Sequence, residues 1–270
     1  MRLTSALRAL AGEQDCYLCG GASAQAICME CVTAFPASPP DACTRCALPV
    51  PQAGICGRCL ADPPHFDATV ATFAYGNPLD QALQAFKYRH ALGLTRFLSA
   101  HLDQALDAAR RLSLLGGSAS PEMAAPAGGA ASLGVDLIVP MPLAAARLAA
   151  RGFNQALELA RPIAQRRRIA LDGHLVRRIR DTPPQAQLPW KERARNIQGV
   201  FACSGDGGSV NPLPLAGLRI AVVDDVMTTG STLNELARVL KAAGAVHVTN
   251  WVVARTLPHK FTQTAAPTSA

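Results

Sequence analysis

The chain has 270 residues, which is enough for one large or two small domains with a hydrophobic core. Hydrophobic residues make up 49% of it and aromatic residues 5%, as in alanine-rich α/β proteins, and a net charge of +7 favours anionic partners. No apolar run reaches the ~18 residues of a membrane-spanning helix, and the opening segment is too short and broken for a signal peptide. We therefore predict a cytoplasmic protein.

Eight of the nine cysteines lie before residue 60, in four C-x-x-C pairs. In a cytoplasmic protein such cysteines are typical of metal ligands rather than disulfides, and four comparable pairs disfavour a redox role for any one of them. Two pairs complete the tetrahedral shell of one Zn²⁺ and leave no position open for catalysis. The simplest prediction is two structural zinc sites, although an interleaved pairing also fits the spacing. The consecutive sets are Cys16, Cys19, Cys28 and Cys31, and Cys43, Cys46, Cys56 and Cys59.

An Asp-Pro-Pro sequence at 62–64 breaks the chain and predicts a domain boundary. Residues 1–62 are then a zinc-binding module with little core of its own, which is expected to need its metal to fold. A second domain is predicted over 63–257, beginning with a strand at 68–75 and helices at 79–88 and 92–112. Within it, residues 116–134 predict a flexible insertion, and residues 258–270 predict a disordered tail.

A buried strand is predicted at 135–139, and two prolines end it because proline cannot continue a ladder. Arg147 and Arg151 follow in a loop, ahead of a helix that runs to about residue 166. Loops at the carboxyl edge of a doubly wound sheet are where ligands bind, so these cations suit a pyrophosphate group. The alternative is an ordinary solvated start of a basic helix.

Six arginines and a single acidic residue lie between residues 165 and 180. The proline-rich stretch that follows at 182–189 suits an extended flap that folds over a site. Basic side chains interleaved with a tryptophan suit single-stranded nucleic acid, through phosphate contacts and base stacking. An exposed basic face that aids solubility is the alternative. The predicted nucleic-acid-binding residues are Arg166, Arg167, Arg168, Trp190, Arg193 and Arg195.

The stretch at 219–245 predicts a buried strand, an acidic pair, a hydroxyl-rich turn and a helix. The strand is predicted to end at Asp224 and Asp225. Small hydroxyl residues at a helix N-terminus let backbone N–H groups bind a phosphate. The two carboxylates would repel that phosphate, so they are placed to accept hydrogen bonds from sugar hydroxyls or to hold a divalent cation. The pattern predicts a ribose 5-phosphate site, and a simple helix cap is the alternative.

This stretch resembles the PRPP-binding motif of the type I phosphoribosyltransferases (PRPP is 5-phosphoribosyl pyrophosphate). By that resemblance, Asp224 and Asp225 face the ribose hydroxyls, and Mg²⁺ accompanies the ligand. Arg147 and Arg151 lie on the pyrophosphate side. The residues that hold the 5-phosphate are Thr228, Thr229, Gly230, Ser231 and Thr232.

Together these features resemble the ComF family of competence proteins. The resemblance implies an α/β fold: a type I phosphoribosyltransferase-like parallel sheet flanked by helices, with a small N-terminal zinc-ribbon or knuckle domain where relatives carry a base-binding hood. It rests on the paired C-x-x-C knuckles, FKYR at 86–89, VPMP at 139–142, RGFNQ at 151–155, the residues Gln185, Leu188, Arg193 and Asn196, and the loop at 224–232.

The resemblance implies a DNA-uptake accessory protein of natural transformation that handles single-stranded DNA. A helicase or channel protein of the uptake machinery is then an expected partner. The alternative is an active phosphoribosyltransferase that uses PRPP and Mg²⁺ on an unidentified base or nucleophile. In that reaction Asp224 and Asp225 hold the ribose, while Arg151 and Lys191 stabilise the departing pyrophosphate.

Overall fold

The computed structural model describes residues 14–89, 91–115, 134–180, 197–203 and 215–258. The predicted insertion and tail fall almost wholly outside these ranges, as does the predicted flap. Four predicted site residues therefore lie outside the described part of the chain: Trp190, Lys191, Arg193 and Arg195.

A five-stranded parallel sheet forms the centre of the fold. The described strands are β1 (Gln14–Asp15), β2 (Ala22–Ser23), β3 (Ala68–Ala74), β4 (Leu137–Pro140), β5 (Ala170–Leu171), β6 (Val176–Arg178), β7 (Phe201–Cys203), β8 (Arg219–Met227) and β9 (His247–Arg255). The central sheet has the order β3-β9-β8-β4-β5, and every neighbouring pair in it is parallel. Two small antiparallel pairs, β1-β2 and β6-β7, accompany it.

Helices cover both faces of the sheet. They are α1 (Met29–Thr33), α2 (Gly57–Ala61), α3 (Leu79–Tyr88), α4 (Leu94–Leu115), α5 (Ala145–Arg151), α6 (Gln155–Arg167) and α7 (Ser231–Ala242). Helices α3, α4 and α6 contribute to one hydrophobic core, and α7 contributes to the other. Strand β8 contributes side chains to both cores, because successive side chains point to opposite faces of the sheet. Ala221 and Val223 enter the first core, while Ile220 and Val222 enter the second. The predicted α/β class with a parallel sheet is confirmed.

Strand β8 does not end where the sequence predicts. It continues through Asp224 and Asp225 to Met227, because the long neighbouring strand β9 goes on pairing with it, up to Met227 opposite Arg255. On its other side, pairing with β4 stops at Pro140 opposite Val223. The prediction that the acidic pair ends β8 is therefore wrong. Only the pairing of β8 with β4 stops before the acidic pair.

The N-terminal module lies along the free edge of β3 and contributes to both cores. Ala74 N–H donates to the carbonyl of Pro36 at 2.9 Å, and Thr69 N–H donates to that of Thr44 at 3.0 Å. Ile27 and Phe35 are buried in the first core, while the second cysteine set is part of the other. The module thus completes its core with apolar side chains of the larger domain, and the boundary at residue 62 stays a prediction.

None of the described helices combines the length and the apolar character that crossing a membrane requires.

Candidate functional site

The main candidate site is a cavity of about 180 Å³ at the carboxyl edge of the sheet. It exists because β4 ends at Pro140 while β8 runs four residues further, so that a notch remains between them. The loop after β4 forms one wall with Met141, Pro142 and Leu143. The polar lining combines two carboxylates, four cations, an amide and a hydroxyl: Asp224, Asp225, Lys87, Arg147, Arg151, Arg178, Gln155 and Thr232.

The acidic pair meets a lysine from α3 at the floor of this cavity. Asp225 is 4% exposed and forms an ion pair with Lys87. Burial alone would raise the pKa of Asp225, but attraction to Lys87 outweighs it and lowers that pKa. Burial and repulsion by Asp225 raise the pKa of Asp224 well above its usual range. Lys87 thus favours the ionised form of Asp225, whereas Asp224 takes up a proton more readily than an exposed carboxyl group, and both side chains can accept hydrogen bonds from neutral hydroxyls.

Arg151 closes one side of the cavity and is fixed by two neighbours. Its Nη1 donates to Gln155 Oε1 at 2.9 Å and its Nη2 to the Tyr88 hydroxyl at 3.2 Å. Its guanidinium carbon also lies 4.9 Å from the centre of the Tyr88 ring, at cation–π distance. Held in this way at the end of α5, Arg151 presents a fixed positive charge to the cavity.

Asn154 fixes the turn that carries Arg151. Its side-chain oxygen accepts from the N–H groups of Ala156 and Leu157 at the start of α6, and its amide donates to the carbonyl of Met141 at 3.1 Å. Gly152 ends α5 at φ +73°, a conformation that suits glycine. The RGFNQ sequence is therefore a helix-to-helix turn tied to the loop after β4.

The hydroxyl-rich loop forms the N-terminus of α7, as predicted. Gly230 precedes the helix at φ +82°, and the first N–H groups of a helix have no partner within it. The hydroxyls of Thr229 and Ser231 lie 2.9 Å apart, and Ser231 N–H donates to Thr229 Oγ1 at 3.1 Å. Thr229 is buried, whereas Thr232 lines the cavity. The Thr229 hydroxyl thus stabilises the loop itself. The sequence did not distinguish this role from the role predicted for all five residues of the loop, which is to hold the 5-phosphate.

Arginines hold the backbone of this loop from behind. Arg255, at the end of β9, donates to the carbonyls of Met227 and Thr228. Arg58, in α2 of the N-terminal module, donates through Nη2 to the carbonyl of Thr229 at 3.1 Å. The loop is therefore attached to the module as well as to the sheet. None of the described residues that line the cavity comes from the module, and the expectation that the module stands where relatives carry a hood stays a prediction.

The structure groups the eight N-terminal cysteines into the two consecutive sets that the simplest prediction gives. In each set the four sulfurs lie within 4.8 Å of one another. Cys19 and Cys28 Sγ are 3.7 Å apart, and Cys46 and Cys56 Sγ are 3.6 Å apart. A tetrahedral Zn²⁺ with Zn–S bonds near 2.3 Å separates its sulfurs by about 3.8 Å. Both sets are compatible with structural zinc, and the interleaved pairing is excluded.

Backbone N–H groups stabilise thiolate in both sets. Cys28 N–H points to Cys16 Sγ at 3.4 Å, and Cys56 N–H points to Cys43 Sγ at 3.2 Å. Burial alone would raise the pKa values of these two thiols, but the N–H donors outweigh it. They lower the pKa of Cys16 to about 6 and that of Cys43 to about 7. A thiolate is the form that binds a metal.

The predicted nucleic-acid-binding arginines of α6 need a correction at one position. Arg167 is buried, and its guanidinium donates to Asp103 Oδ1 at 2.5 Å and to Asp107 Oδ1 at 2.8 Å. A buried guanidinium that is bound to two carboxylates cannot serve a phosphate, so Arg167 is not a contact residue. Arg166 and Arg168 are exposed, and Arg166 pairs with Asp103.

The exposed pair also lies far from the cavity. Gln155, at the start of α6, lines the cavity, and Arg166 follows eleven residues later on the same helix. At 1.5 Å per residue this is roughly 17 Å along the axis. The structure therefore separates Arg166 and Arg168 from Arg147 and Arg151.

Lys87, Tyr88, Gln155 and Arg178 are site residues that the sequence reasoning did not assign. Lys87 and Tyr88 belong to the FKYR sequence at the end of α3, where a cation and an aromatic residue close a helix. Only the packing of α3 over the sheet brings that helix end to Asp225, more than 130 positions later. Gln155 ends the RGFNQ sequence, and the turn between α5 and α6 brings its side chain to Arg151.

Similarity to known proteins extends over most of the chain. DNA utilization protein YhgH of Salmonella typhimurium is 32% identical over 246 residues, which are 90% of this chain and 97% of that protein. Competence protein F of Haemophilus influenzae is 32% identical over 200 residues, which are 74% of this chain and 78% of that protein. An orotate phosphoribosyltransferase of Bordetella avium is 33% identical over 86 residues, which are 31% of this chain and 33% of that protein. A scan against models of protein families finds no match.

Proposed function

The chain belongs to the ComF family, and on this premise we propose that it is a cytoplasmic DNA-uptake and DNA-utilization protein that handles single-stranded DNA and binds a ribose 5-phosphate such as PRPP. The names of its relatives support the DNA-related part of the proposal. The cavity supports the ligand part. A helicase or channel protein of the uptake machinery remains a predicted partner.

One observation carries the ligand proposal: a helix N-terminus, two carboxylates and four cations surround the same small cavity. The start of α7 suits the 5-phosphate, and Thr232 there faces the cavity. Asp224 and Asp225 suit the ribose hydroxyls, while Arg147 and Arg151 suit a second phosphate group such as the pyrophosphate of PRPP. PRPP would bring Mg²⁺, whose charge reduces repulsion between the pyrophosphate and the acidic pair.

The two cysteine sets would each hold one Zn²⁺ with four sulfur ligands and no open position. The metal therefore supplies no chemistry to the ligand. It fixes the turns of a module whose own core is small.

Calorimetry with PRPP and Mg²⁺ tests the ligand site. Wild type is expected to bind, and Asp225→Asn is expected to bind weakly because its pairing with Lys87 and its contact to the ribose are both lost. Asp224→Asn keeps the shape of a protonated aspartic acid and serves as a second site variant. Asp41→Asn, at an exposed position outside the cavity, is the matched control. Equal heats for wild type and Asp225→Asn would exclude the proposed ligand site.

Binding of labelled single strands at two salt concentrations tests the DNA part. Affinity is expected to fall as salt rises, because cations that contact phosphates release counterions. Arg168→Glu, at an exposed residue predicted to contact nucleic acid, is expected to weaken binding, whereas Arg161→Glu, on the exposed side of α6, is the charge-matched control. The proposal fails if no strand binds at low salt or if salt has no effect.

A second candidate function, phosphoribosyl transfer, is favoured by the similarity over 86 residues to an orotate phosphoribosyltransferase. In such a reaction a base nitrogen forms a bond to C1 of the ribose. The bond from C1 to the pyrophosphate oxygen breaks, and pyrophosphate leaves with its electron pair. Arg151 would stabilise the charge of the leaving group, together with the predicted Lys191. Release of pyrophosphate from PRPP and Mg²⁺ in a mixture of bases would support transfer, and no release would favour a binding protein.

A further inference from the structure

We propose that Arg58 and Arg255 are positioning residues that couple metal binding at the second cysteine set to phosphate binding at loop 228–232. The second set is Cys43, Cys46, Cys56 and Cys59. The inference rests on the proposed ribose 5-phosphate site and goes beyond it, because it makes one of two metal sites part of that site's structure.

Arg255 is the centre of this connection. It is 1% exposed, and its Nε donates to the carbonyl of Cys46 at 2.8 Å. Its Nη1 faces the carbonyls of Met227 at 3.0 Å, of Thr228, and of Thr256 at 2.9 Å. One planar guanidinium thus binds a metal-ligand residue on one side and the start of the phosphate loop on the other. A lysine could not span both sides, because its three donors radiate from a single nitrogen.

Arg58 makes the second connection. It lies in α2 between Cys56 and Cys59, so its backbone position depends on two ligands of the same set. It donates to the carbonyl of Thr229, which directly follows Thr228, whose carbonyl is bound by Arg255. Three consecutive loop carbonyls, from Met227 to Thr229, are therefore bound from behind by these two arginines.

The first cysteine set provides a control within the same chain. Its buried member Cys16 and the partly buried Cys28 and Cys31 pack in the core formed with α3 and α4, whereas the second set packs in the core that contains Met227 and α7. The two cores lie on opposite faces of the sheet. If coupling follows these contacts, the ligand in the cavity affects one metal site and leaves the other unchanged.

Coupling between two binding equilibria is reciprocal: if zinc at the second set raises the affinity for ribose 5-phosphate, the ligand raises the affinity for that zinc by the same factor. Typical coupling factors are about 5- to 150-fold. The coupling can therefore be measured from the metal side, without an activity assay.

The experiment titrates the zinc-loaded full chain to equilibrium with a competing chelating dye, with and without saturating ribose 5-phosphate. Ribose 5-phosphate is expected to protect one zinc equivalent by raising its binding affinity at least about fivefold and to leave the affinity of the other unchanged. A Cys28→Ser/Cys31→Ser variant, which keeps only the second set, assigns the protected equivalent. Arg58→Ala and Arg255→Lys are expected to abolish the protection. Arg45→Ala is the matched control, because Arg45 also lies between two cysteines of the second set.

The outcomes separate the two claims. If calorimetry detects no binding of ribose 5-phosphate to wild type, the proposed ligand site fails and the coupling fails with it. If the ligand binds but protects both zinc equivalents equally, or neither, the coupling alone is overturned. If Arg255→Lys does not fold, Arg58→Ala decides the result, since Arg58 lies at an exposed position where truncation disturbs the core least. Unchanged protection in that variant would contradict the role of Arg58.

Discussion

The two cysteine sets have the same ligand chemistry but different surroundings. In the first set, Cys16 packs beside Ile27 against α3 and α4, and the described contacts of this set do not include the cavity. In the second set, the carbonyl of Cys46 accepts from Arg255, and Arg58 of α2 donates to the carbonyl of Thr229 in loop 228–232. Four thiolates alone do not distinguish the two sets, so any difference between their roles comes from the residues that each set contacts.

The largest expected difference comes from removing one set at a time. Cys28→Ser/Cys31→Ser and Cys46→Ser/Cys59→Ser are each expected to lose one zinc equivalent and to lower thermal stability, because structural zinc contributes on the order of 10 kcal/mol to a small metal-dependent module. Only the second variant is expected to lose affinity for ribose 5-phosphate. Metal analysis, thermal unfolding and calorimetry measure the three effects. An equal loss of affinity in both variants would erase the distinction between the sets.

A smaller effect is expected from truncating one buried apolar side chain in each of the two cores. Ile27→Ala and Met227→Ala each remove a buried side chain, and each is expected to lower the free energy of unfolding by about 2–5 kcal/mol. Met227 lies directly beneath Gly230, so its truncation is also expected to weaken ligand binding, whereas Ile27→Ala leaves it unchanged. Urea unfolding with zinc present measures the stability. Ligand affinity that falls with Ile27→Ala would show that the first side of the sheet also holds the loop.

The smallest expected difference concerns two glycines with positive φ, Gly20 near the first set and Gly230 before α7. Gly20→Ala should cost about 1–2 kcal/mol from the left-handed backbone alone, since its Cβ would meet nothing within 4 Å. Gly230→Ala adds a contact of 2.6 Å to the Met227 methyl, and that side chain is buried. We expect an additional cost of about 1 kcal/mol and weaker ligand binding. Equal unfolding curves for the two variants would contradict this.

The sequence predicted those features that depend on local pattern. The helix over 79–88, the sheet's parallel strands and the grouping of the cysteines all follow from spacing within about thirty residues. The position of the ribose 5-phosphate loop at a strand–helix junction follows in the same way. Its binding role remains a prediction.

The features that the sequence missed depend on distant neighbours. Strand β8 continues through two aspartates because β9 pairs with it, and a strand's own residues do not reveal the length of its partner. Lys87 meets Asp225 only through the packing of α3. In sequence Arg167 looks like its exposed neighbours, but it is buried and joins α6 to α4 through an ion pair with Asp103. Charge alone therefore could not separate a surface arginine from an internal one.

The bond between Arg255 and Cys46 joins residues 209 positions apart, and this has a consequence for how the chain is made. At about 5–20 residues per second, the ribosome would complete Cys46 roughly 10–40 s before Arg255. During that interval the second knuckle has its thiolates but lacks the strand against which it packs. In that interval a bound metal would be what holds the turns of the second set, because the contact from Arg255 to the carbonyl of Cys46 forms only once β9 has been made.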